Sequence, residues 1–86
     1  MREFKLLIVS PDKTLYDGSA VYCCLTTTEG QIGVKAYHEP FMAVIKDGTT
    51  FLYRTPEGED HEFTVHSGLF SFRKNRGVVT VRKGDN

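Results

Sequence analysis

The stretch from residue 51 to residue 82, FLYRTPEGEDHEFTVHSGLFSFRKNRGVVTVR, decides the fold class. Large apolar residues recur in it two positions apart, which places both members of each pair on one face of an extended strand. The pairs are Phe51 and Tyr53, Phe63 and Val65, and Phe70 and Phe72. Between them, residues 56–60 and 74–77 are polar and rich in Gly, Pro and Asn, which is typical of hairpin tips; Asn75 and Gly77 are the residues suited to positive φ. The pattern predicts consecutive antiparallel strands that share one core.

The first half of the chain carries shorter apolar segments of the same kind. Strands are predicted over residues 4–9, 15–17, 20–26, 32–34 and 78–82, with breaks at Pro11 and Gly18. Residues 40–46 fit either a helical turn or a strand, and β-branched Val44 and Ile45 favour the strand. No long helix is expected. The predicted fold is all-β, an antiparallel β-sandwich of about eight to ten short strands in a single domain over residues 1–86.

Composition limits the classes of function. The 86 residues carry 11 basic and 11 acidic side chains, so the formal net charge is zero. Domains that bind nucleic acid are usually clearly basic, because they neutralise phosphates with Lys and Arg. A domain of this length buries only about 60% of its unfolded surface or a little more. A permanent partner that binds the folded form is therefore a reasonable expectation.

The two cysteines are neighbours, Cys23 and Cys24. Adjacent residues of a strand point to opposite faces, so these two are not expected to form a disulfide with each other. They are interpreted as reduced thiols of a cytosolic protein, one facing the core and one facing outward. The apolar run that starts near Met1 stops at Pro11, which is too short for a signal peptide or a membrane span.

Residues with catalytic or metal-binding chemistry are present but poorly placed. His61 and His66 differ by an odd number of positions, so on a regular strand they face opposite sides and do not converge on one metal ion. The neighbours His38 and Glu39 have no nucleophile within local reach. Gly30 and Gly33 are not followed by the Lys-Ser pair and helix of a phosphate loop. We expect no catalytic residue, no cofactor and no metal, and hence no enzyme.

One alternative uses the aromatic and basic residues near the C-terminus. Phe70 and Phe72 would form a stacking platform for the bases of single-stranded nucleic acid. Arg73, Lys74 and Arg76 would bind the phosphates of the nucleic acid. The competing interpretation places both rings in the core and leaves the cations to solubilise a turn. A small domain without tryptophan needs such rings for its core, and this second interpretation is favoured.

Several ordered segments resemble a known family, the epsilon subunits of F-type ATP synthases. They are residues 5–11 (KLLIVSP), 15–18 (LYDG), 28–34 (TEGQIGV), 38–40 (HEP), 67–70 (SGLF) and 77–81 (GVVTV). Together they cover nearly the whole chain and are similar to the N-terminal β-sandwich of that family. Two departures are Thr26-Thr27, where the family often has proline, and Lys35-Ala36-Tyr37, where it often has Leu-Pro-Gly. The second departure makes the conformation of that loop an open question.

The resemblance implies a non-catalytic subunit of the central stalk, peripheral to the membrane on its cytoplasmic face. Its implied partners are the gamma subunit and the polar loops of the membrane rotor ring, and nucleic acid is not among them. The implied gamma-subunit contacts are Ser10, His38, Glu39, Pro40, Phe41 and Met42, and the implied ring-facing loop is Thr28, Glu29, Gly30 and Gln31. The two C-terminal helices with which many family members inhibit ATP hydrolysis have no counterpart in the 86 residues, so no inhibitory role is expected.

Overall fold

The computed structural model describes residues 2–82, and every described element of regular structure is a strand. The nine strands are β1 (Phe4–Ser10), β2 (Lys13–Ala20), β3 (Tyr22–Thr27), β4 (Gly30–Val34), β5 (Phe41–Ile45), β6 (Thr49–Arg54), β7 (Asp60–Val65), β8 (Gly68–Arg73) and β9 (Arg76–Val81). The prediction of eight to ten short strands is confirmed, as is a strand rather than a helical turn at residues 41–45. Residues 1 and 83–86 of the predicted domain lie outside the described part.

The strands form two sheets packed face to face. One has five strands in the order β2-β1-β9-β8-β5, and the other has four in the order β4-β3-β6-β7. Four of the seven neighbouring pairs join strands that are consecutive along the chain, as in β8 and β9. The fold is a β-sandwich, which confirms the predicted class.

One strand pair departs from the antiparallel prediction. β1 lies parallel to β9, with Leu6 opposite Gly77 and Ile8 opposite Val79, whereas the other six pairs are antiparallel. Hairpin signals in a sequence predict only antiparallel neighbours, because parallel strands need a long crossover connection. Here the whole intervening chain forms that connection, and the five-stranded sheet is mixed.

The core lies between the sheets and consists of side chains that alternate along each strand. The largest fully buried members are Phe4, Phe51, Phe70, Phe72, Leu6, Ile8, Leu25 and Ile45. Ring centroids of Phe51 and Phe70 lie 6.1 Å apart and join the two sheets. The aromatic pairs identified from period-two spacing therefore face inward, although Tyr53 and Phe63 are only partly buried at the margin of the core.

The predicted strand break at Gly18 and the predicted positive φ at Gly77 were both wrong. Gly18 does not break a strand but lies inside β2, opposite Leu6, where the Tyr16 ring covers it. In the turn between β8 and β9, the positive φ values belong to Lys74 (51°) and Asn75 (58°). Two consecutive residues of positive φ suit a two-residue hairpin. Gly77 instead provides space in the core, since a Cβ there would lie 3.3 Å from the Phe70 ring.

The cysteines occupy opposite faces of β3, as predicted. Cys23 is fully buried and Cys24 is half-buried on the outer side. Burial raises the pKa of the Cys23 thiol to about 12, with a smaller contribution from the neighbouring Cys24. Cys23 is thus a small apolar core residue in chemical terms.

This difference predicts selective alkylation. At pH 8, iodoacetamide should label Cys24 in the folded chain and leave Cys23 unmodified, because the buried thiol forms almost no thiolate. Mass spectrometry of the intact chain should show one adduct in buffer and two in urea. The matched control is Cys24→Ser, which should take no label when folded and one when unfolded. Rapid labelling of the folded control would show that Cys23 is accessible.

Candidate interaction surfaces

The outer face of the five-stranded sheet is unusually apolar. Met42, Val44 and Leu69 are 78%, 67% and 49% exposed, respectively. Strand register places them in two rows across the sheet: Leu7, Val78, Ser71 and Met42 in one row, and Val9, Thr80, Leu69 and Val44 in the other. We call the six apolar members, Leu7, Val9, Met42, Val44, Leu69 and Val78, the apolar face. Contiguous exposed apolar surface on a small domain usually marks a contact with another protein.

The outer face of the four-stranded sheet has the opposite character. Arg54 binds Asp60 through two hydrogen bonds, from Nε to Oδ1 at 2.6 Å and from a terminal guanidinium nitrogen to Oδ2 at 3.2 Å. The hydrogen bond to Arg54 lowers the pKa of Asp60 below its usual value. Glu62 and Thr64 extend this polar surface along β7. The two sides of the sandwich therefore differ sharply, and the apolar side is the candidate for docking.

The segment implied as a gamma-subunit contact divides between the core and the surface. Phe41 is half-buried, with its ring centroid 5.4 Å from that of Phe70, whereas the next residue, Met42, points outward. His38 is half-buried against Phe41 at 4.9 Å and Phe72 at 6.1 Å. Glu39 and Pro40 are exposed beside it. Met42 thus belongs to the apolar face, and His38, Glu39 and Pro40 lie at one end of it.

Ser10 lies at the other end of the sandwich. It ends β1, one residue beyond the pair Val9–Thr80, and its hydroxyl donates a hydrogen bond to Asp12 Oδ1 at 3.0 Å. Because β1 and β5 run in the same direction, the start of β5 near His38 and the end of β1 are far apart. The implied contacts therefore do not form one cluster: Met42 lies within the apolar face on the edge strand β5, whereas Ser10 and the His38 segment lie at its two ends. The middle of that face is formed by β9 and β8, which carry Val78 and Leu69.

Residues 28–31 form the tip of the hairpin between β3 and β4. The Thr27 hydroxyl accepts a hydrogen bond from the Glu29 amide at 3.1 Å and donates one to the Gly30 carbonyl at 3.0 Å. Gly30 has a φ of 123°, which strongly favours glycine there. Thr28, Glu29, Gly30 and Gln31 are all exposed. The turn is fixed by its own hydrogen bonds and presents polar groups to its surroundings.

This turn adjoins the apolar face. A shallow depression of about 280 Å³ is lined by Thr28 and Glu29 on one side and by Met42 and Val44 on the other. The Lys46 amide also donates a hydrogen bond to the Thr26 carbonyl at 2.8 Å, which joins the ends of β5 and β3. The two surfaces implied for different partners are therefore neighbours on one rigid body.

The loop before His38 is fixed by Asn75. Tyr37 has a φ of 67°, and its amide donates to Asn75 Oδ1 at 2.7 Å. The Asn75 side-chain amide in turn donates to the Glu3 carbonyl at 2.9 Å. Tyr37 occupies the glycine position of the Leu-Pro-Gly pattern. It nevertheless has the positive φ that is typical of glycine, and the hydrogen bond to Asn75 supports this conformation. The conformation of the loop, left open by the sequence, is thereby defined.

The other suspected sites do not form. His61 and His66 lie near opposite ends of β7, where His61 Nε2 is 3.4 Å from Glu59 and His66 Nδ1 is 3.8 Å from Asp47. Among residues 2–82, no three His, Cys, Asp or Glu side chains come together as they would around a metal ion. The stacking platform of the nucleic-acid alternative is wrong, because Phe70 and Phe72 are 0% and 1% exposed.

The comparisons with known proteins agree with this architecture. Residues 3–84 match the model of a family described as ATP synthase, Delta/Epsilon chain, beta-sandwich domain. The chain belongs to this family. Among its relatives, the ATP synthase epsilon chain of Micrococcus luteus is 33% identical over 88 aligned positions, which cover 99% of this chain and 96% of that one. The epsilon chain of Rhodococcus opacus is 31% identical and is covered to 70% of its length.

Other relatives extend well beyond the matched sandwich. The epsilon chain of Streptomyces avermitilis is 34% identical to this delta/epsilon-type chain over 74 residues, and only 59% of its length is covered. A chain of the Euglena gracilis mitochondrial ATP synthase has the same fold, with a TM-score of 0.87 at 16% identity over 94% of this chain and 51% of that one. A chain in the central stalk and c-ring structure of the Tetrahymena thermophila mitochondrial ATP synthase has a TM-score of 0.78 at 12% identity. The match covers 95% of this chain and 65% of that one.

Residues 2–82 contain no helix that is long and apolar enough to cross a membrane.

The role of Asn75 in this delta/epsilon-type sandwich is testable. Asn75→Ala should lower the free energy of unfolding by about 2–3 kcal/mol, because it removes two hydrogen bonds of about 1 kcal/mol each and places alanine in the left-handed region. Asn75→Gly loses the same hydrogen bonds but tolerates the φ value, so it should cost about 1 kcal/mol less. Urea denaturation measures both. Equal stability of Asn75→Ala and the unsubstituted chain would show that Asn75 does not support the loop.

Proposed function

We propose that the chain is a non-catalytic coupling part of the ATP synthase rotor, which binds the gamma subunit through the apolar face. The observation that supports this most is the contrast between the two outer faces: one carries Met42, Val44 and Leu69 in the open, and the other carries the Arg54–Asp60 ion pair. Membership of the delta/epsilon family supplies the class of assembly. An unpartnered apolar face on a domain of this kind is best explained by a permanent partner.

The chemistry of the apolar face suits the centre of a protein interface. Interface centres are depleted in charge and enriched in aromatic residues and methionine, with a polar rim around them. Met42 is unbranched and adapts its shape to a partner. His38 and Glu39 at one end, and Ser10 at the other, would form the polar rim. The six residues implied by the family resemblance thus mark the ends and one edge of a larger surface.

The turn of residues 28–31 is the proposed contact with the polar loops of the membrane ring. Glu29 and the carboxamide of Gln31 offer hydrogen-bonding groups on a turn held by Thr27 and Gly30. A charge on a fixed turn loses less entropy on binding than one on a mobile loop. Since Gln31 is neutral, Glu29 is the main charged contact of the turn.

Coupling requires that torque pass from one contact to the other without deformation. A sandwich resists shear because its ladders link the strands within each sheet and a close-packed core links the sheets. Glu29 and Val44 line one shallow depression, so the two proposed contacts would be neighbours on the sandwich. We assign the single sandwich domain to coupling rather than inhibition, peripheral to the membrane on its cytoplasmic face.

The apolar face gives the first functional prediction. Met42→Asp and Val44→Asp should each weaken binding to the gamma subunit of the same organism by about 10- to 100-fold, because each places an unpaired charge on the apolar face that the partner would bury. Isothermal titration calorimetry with purified subunits measures the affinity. His38→Asp, at the rim, should weaken binding less and leave the fold intact.

The matched control is Thr64→Asp, which introduces the same charge on the exposed outer side of β7. It should bind the gamma subunit as the unsubstituted chain does. If Met42→Asp and Val44→Asp bind normally while folded, the gamma subunit does not use this face. Unchanged affinity of His38→Asp alone would remove only His38 from the rim.

The turn gives a second functional prediction. Glu29→Lys should leave gamma binding unchanged and weaken binding of the gamma–epsilon pair to isolated membrane rings by about two- to fivefold, the usual worth of an exposed charge pair. The effect should fade at high salt, since the contact is solvated. Glu57→Lys, in the hairpin tip at the other end of the sandwich, is the control. An equal loss in both variants would point to overall charge instead of the turn.

A further inference from the structure

A cationic pocket lies at the end of the sandwich opposite the turn of residues 28–31. It has a volume of about 450 Å³ and is lined by Arg2, Val21, Tyr22, Lys35, Ala36 and Arg54. Three of these six side chains are cations, and no carboxylate is among the residues that line it. The apolar face and the 28–31 turn share none of these residues, so neither proposed contact accounts for the pocket.

Arg54 is held in position on the pocket wall. Its guanidinium carbon lies 5.5 Å from the centroid of the Tyr22 ring, and Asp60 binds two of its N–H groups. Tyr22 is itself held in place, because it packs over Gly33, where an added Cβ would lie 3.0 Å from the phenol oxygen. A guanidinium has five N–H donors, so three remain for a ligand after Asp60 is satisfied.

Arg2 is placed in a similar way on the other side. Its guanidinium carbon lies 5.4 Å from the centroid of the Tyr37 ring. The backbone of Tyr37 is held by the hydrogen bond from its amide to Asn75. Lys35 starts the turn between them, where its carbonyl accepts from the His38 amide at 3.2 Å. Within residues 2–82, no carboxylate oxygen lies within 4.0 Å of a charged nitrogen of Arg2 or Lys35.

We propose that this pocket binds a small organic phosphate, with the phosphate on Arg2, Lys35 and Arg54 and the organic part on Val21, Ala36 and the Tyr22 ring. Arginine forks and a lysine ammonium are the donors that phosphate groups prefer. The floor is apolar, so a ligand with a ring or hydrocarbon part gains more than inorganic phosphate does. The volume is within the range of small-molecule sites, about 300–1,000 Å³.

The size and concave shape of the pocket favour a small molecule over a protein segment. An acidic peptide that binds basic side chains usually lies along an open surface and contacts a row of them. Here the three cations line one concave site, and each arginine lies over its own aromatic ring. Asp60 neutralises one of the three positive charges by its ion pair with Arg54. The remaining charge of +2 balances that of one phosphate monoester dianion.

The test is a titration of the 86-residue chain with phenyl phosphate, inorganic phosphate and phenol, followed by amide chemical shifts. Phenyl phosphate should shift the amides of Val21, Tyr22 and Ala36 and bind at least about tenfold more tightly than either inorganic phosphate or phenol. Arg2→Gln and Lys35→Gln should each weaken it by about tenfold, the usual effect of losing one charge-assisted hydrogen bond. Both positions are exposed, and the amide spectrum reports whether the fold is kept.

The control removes the same charge elsewhere. Lys13→Gln and Lys46→Gln lie at the opposite end of the sandwich and should leave the affinity unchanged. Equal losses in the control and pocket variants, or shifts spread over the whole surface, would overturn the proposal in favour of general electrostatic attraction. Binding of a glutamate-rich peptide at Val21 and Ala36, without binding of phenyl phosphate, would overturn it in favour of an acidic protein segment. Neither result depends on gamma-subunit binding.

Discussion

The ring of Phe70 lies where the two sheets meet, and the arrangement of both depends on it. Its centroid is 5.4 Å from Phe41 and 6.1 Å from Phe51, so one side chain contacts the edge strand β5 and the centre of the opposite sheet. The space it needs comes from Gly77 on the neighbouring strand. Because Phe70 points inward, the alternation of β8 sends Leu69 and Ser71 outward, and Phe41 likewise sends Met42 outward. The exposed apolar face is thus a geometric consequence of how the core is filled.

The sequence allowed the fold class and the strands with alternating aromatics to be predicted, because burial on one face produces a period of two. Lys74 shows why some turn details were missed: a lysine with positive φ is stabilised by the twist of the hairpin around it, which no local propensity reveals. The parallel contact between β1 and β9 joins segments that are distant along the chain, and local signals do not report such contacts. Gly18 looked like a break, yet the Tyr16 ring fills the space above it.

The candidate surfaces could also be predicted in part from the sequence. Residues 38–42 and 28–31 were proposed from the family resemblance. The structure exposes residues 28–31, Glu39, Pro40 and Met42, whereas His38 and Phe41 are half-buried against the core. Val44 and Leu69 were missed, although the alternation that assigned Phe70 to the core also predicts an outward Leu69. The cationic pocket had no sequence signal, since Arg2, Lys35 and Arg54 come together only when the starts of β1 and β3 and the ends of β4 and β6 meet.

The parallel pairing of β1 with β9 has a consequence for synthesis on the ribosome. β1 is synthesised before the other described strands but acquires its neighbour β9 only after residue 81 has been made. Until then β1, which carries Leu6 and Ile8, is paired only with β2 on one side. The nascent chain therefore exposes apolar surface and unpaired backbone groups. Contacts between distant segments also slow folding. We therefore expect the emerging chain to depend on chaperones that shield apolar strands, and premature termination before β9 to yield an aggregating fragment instead of a smaller folded domain.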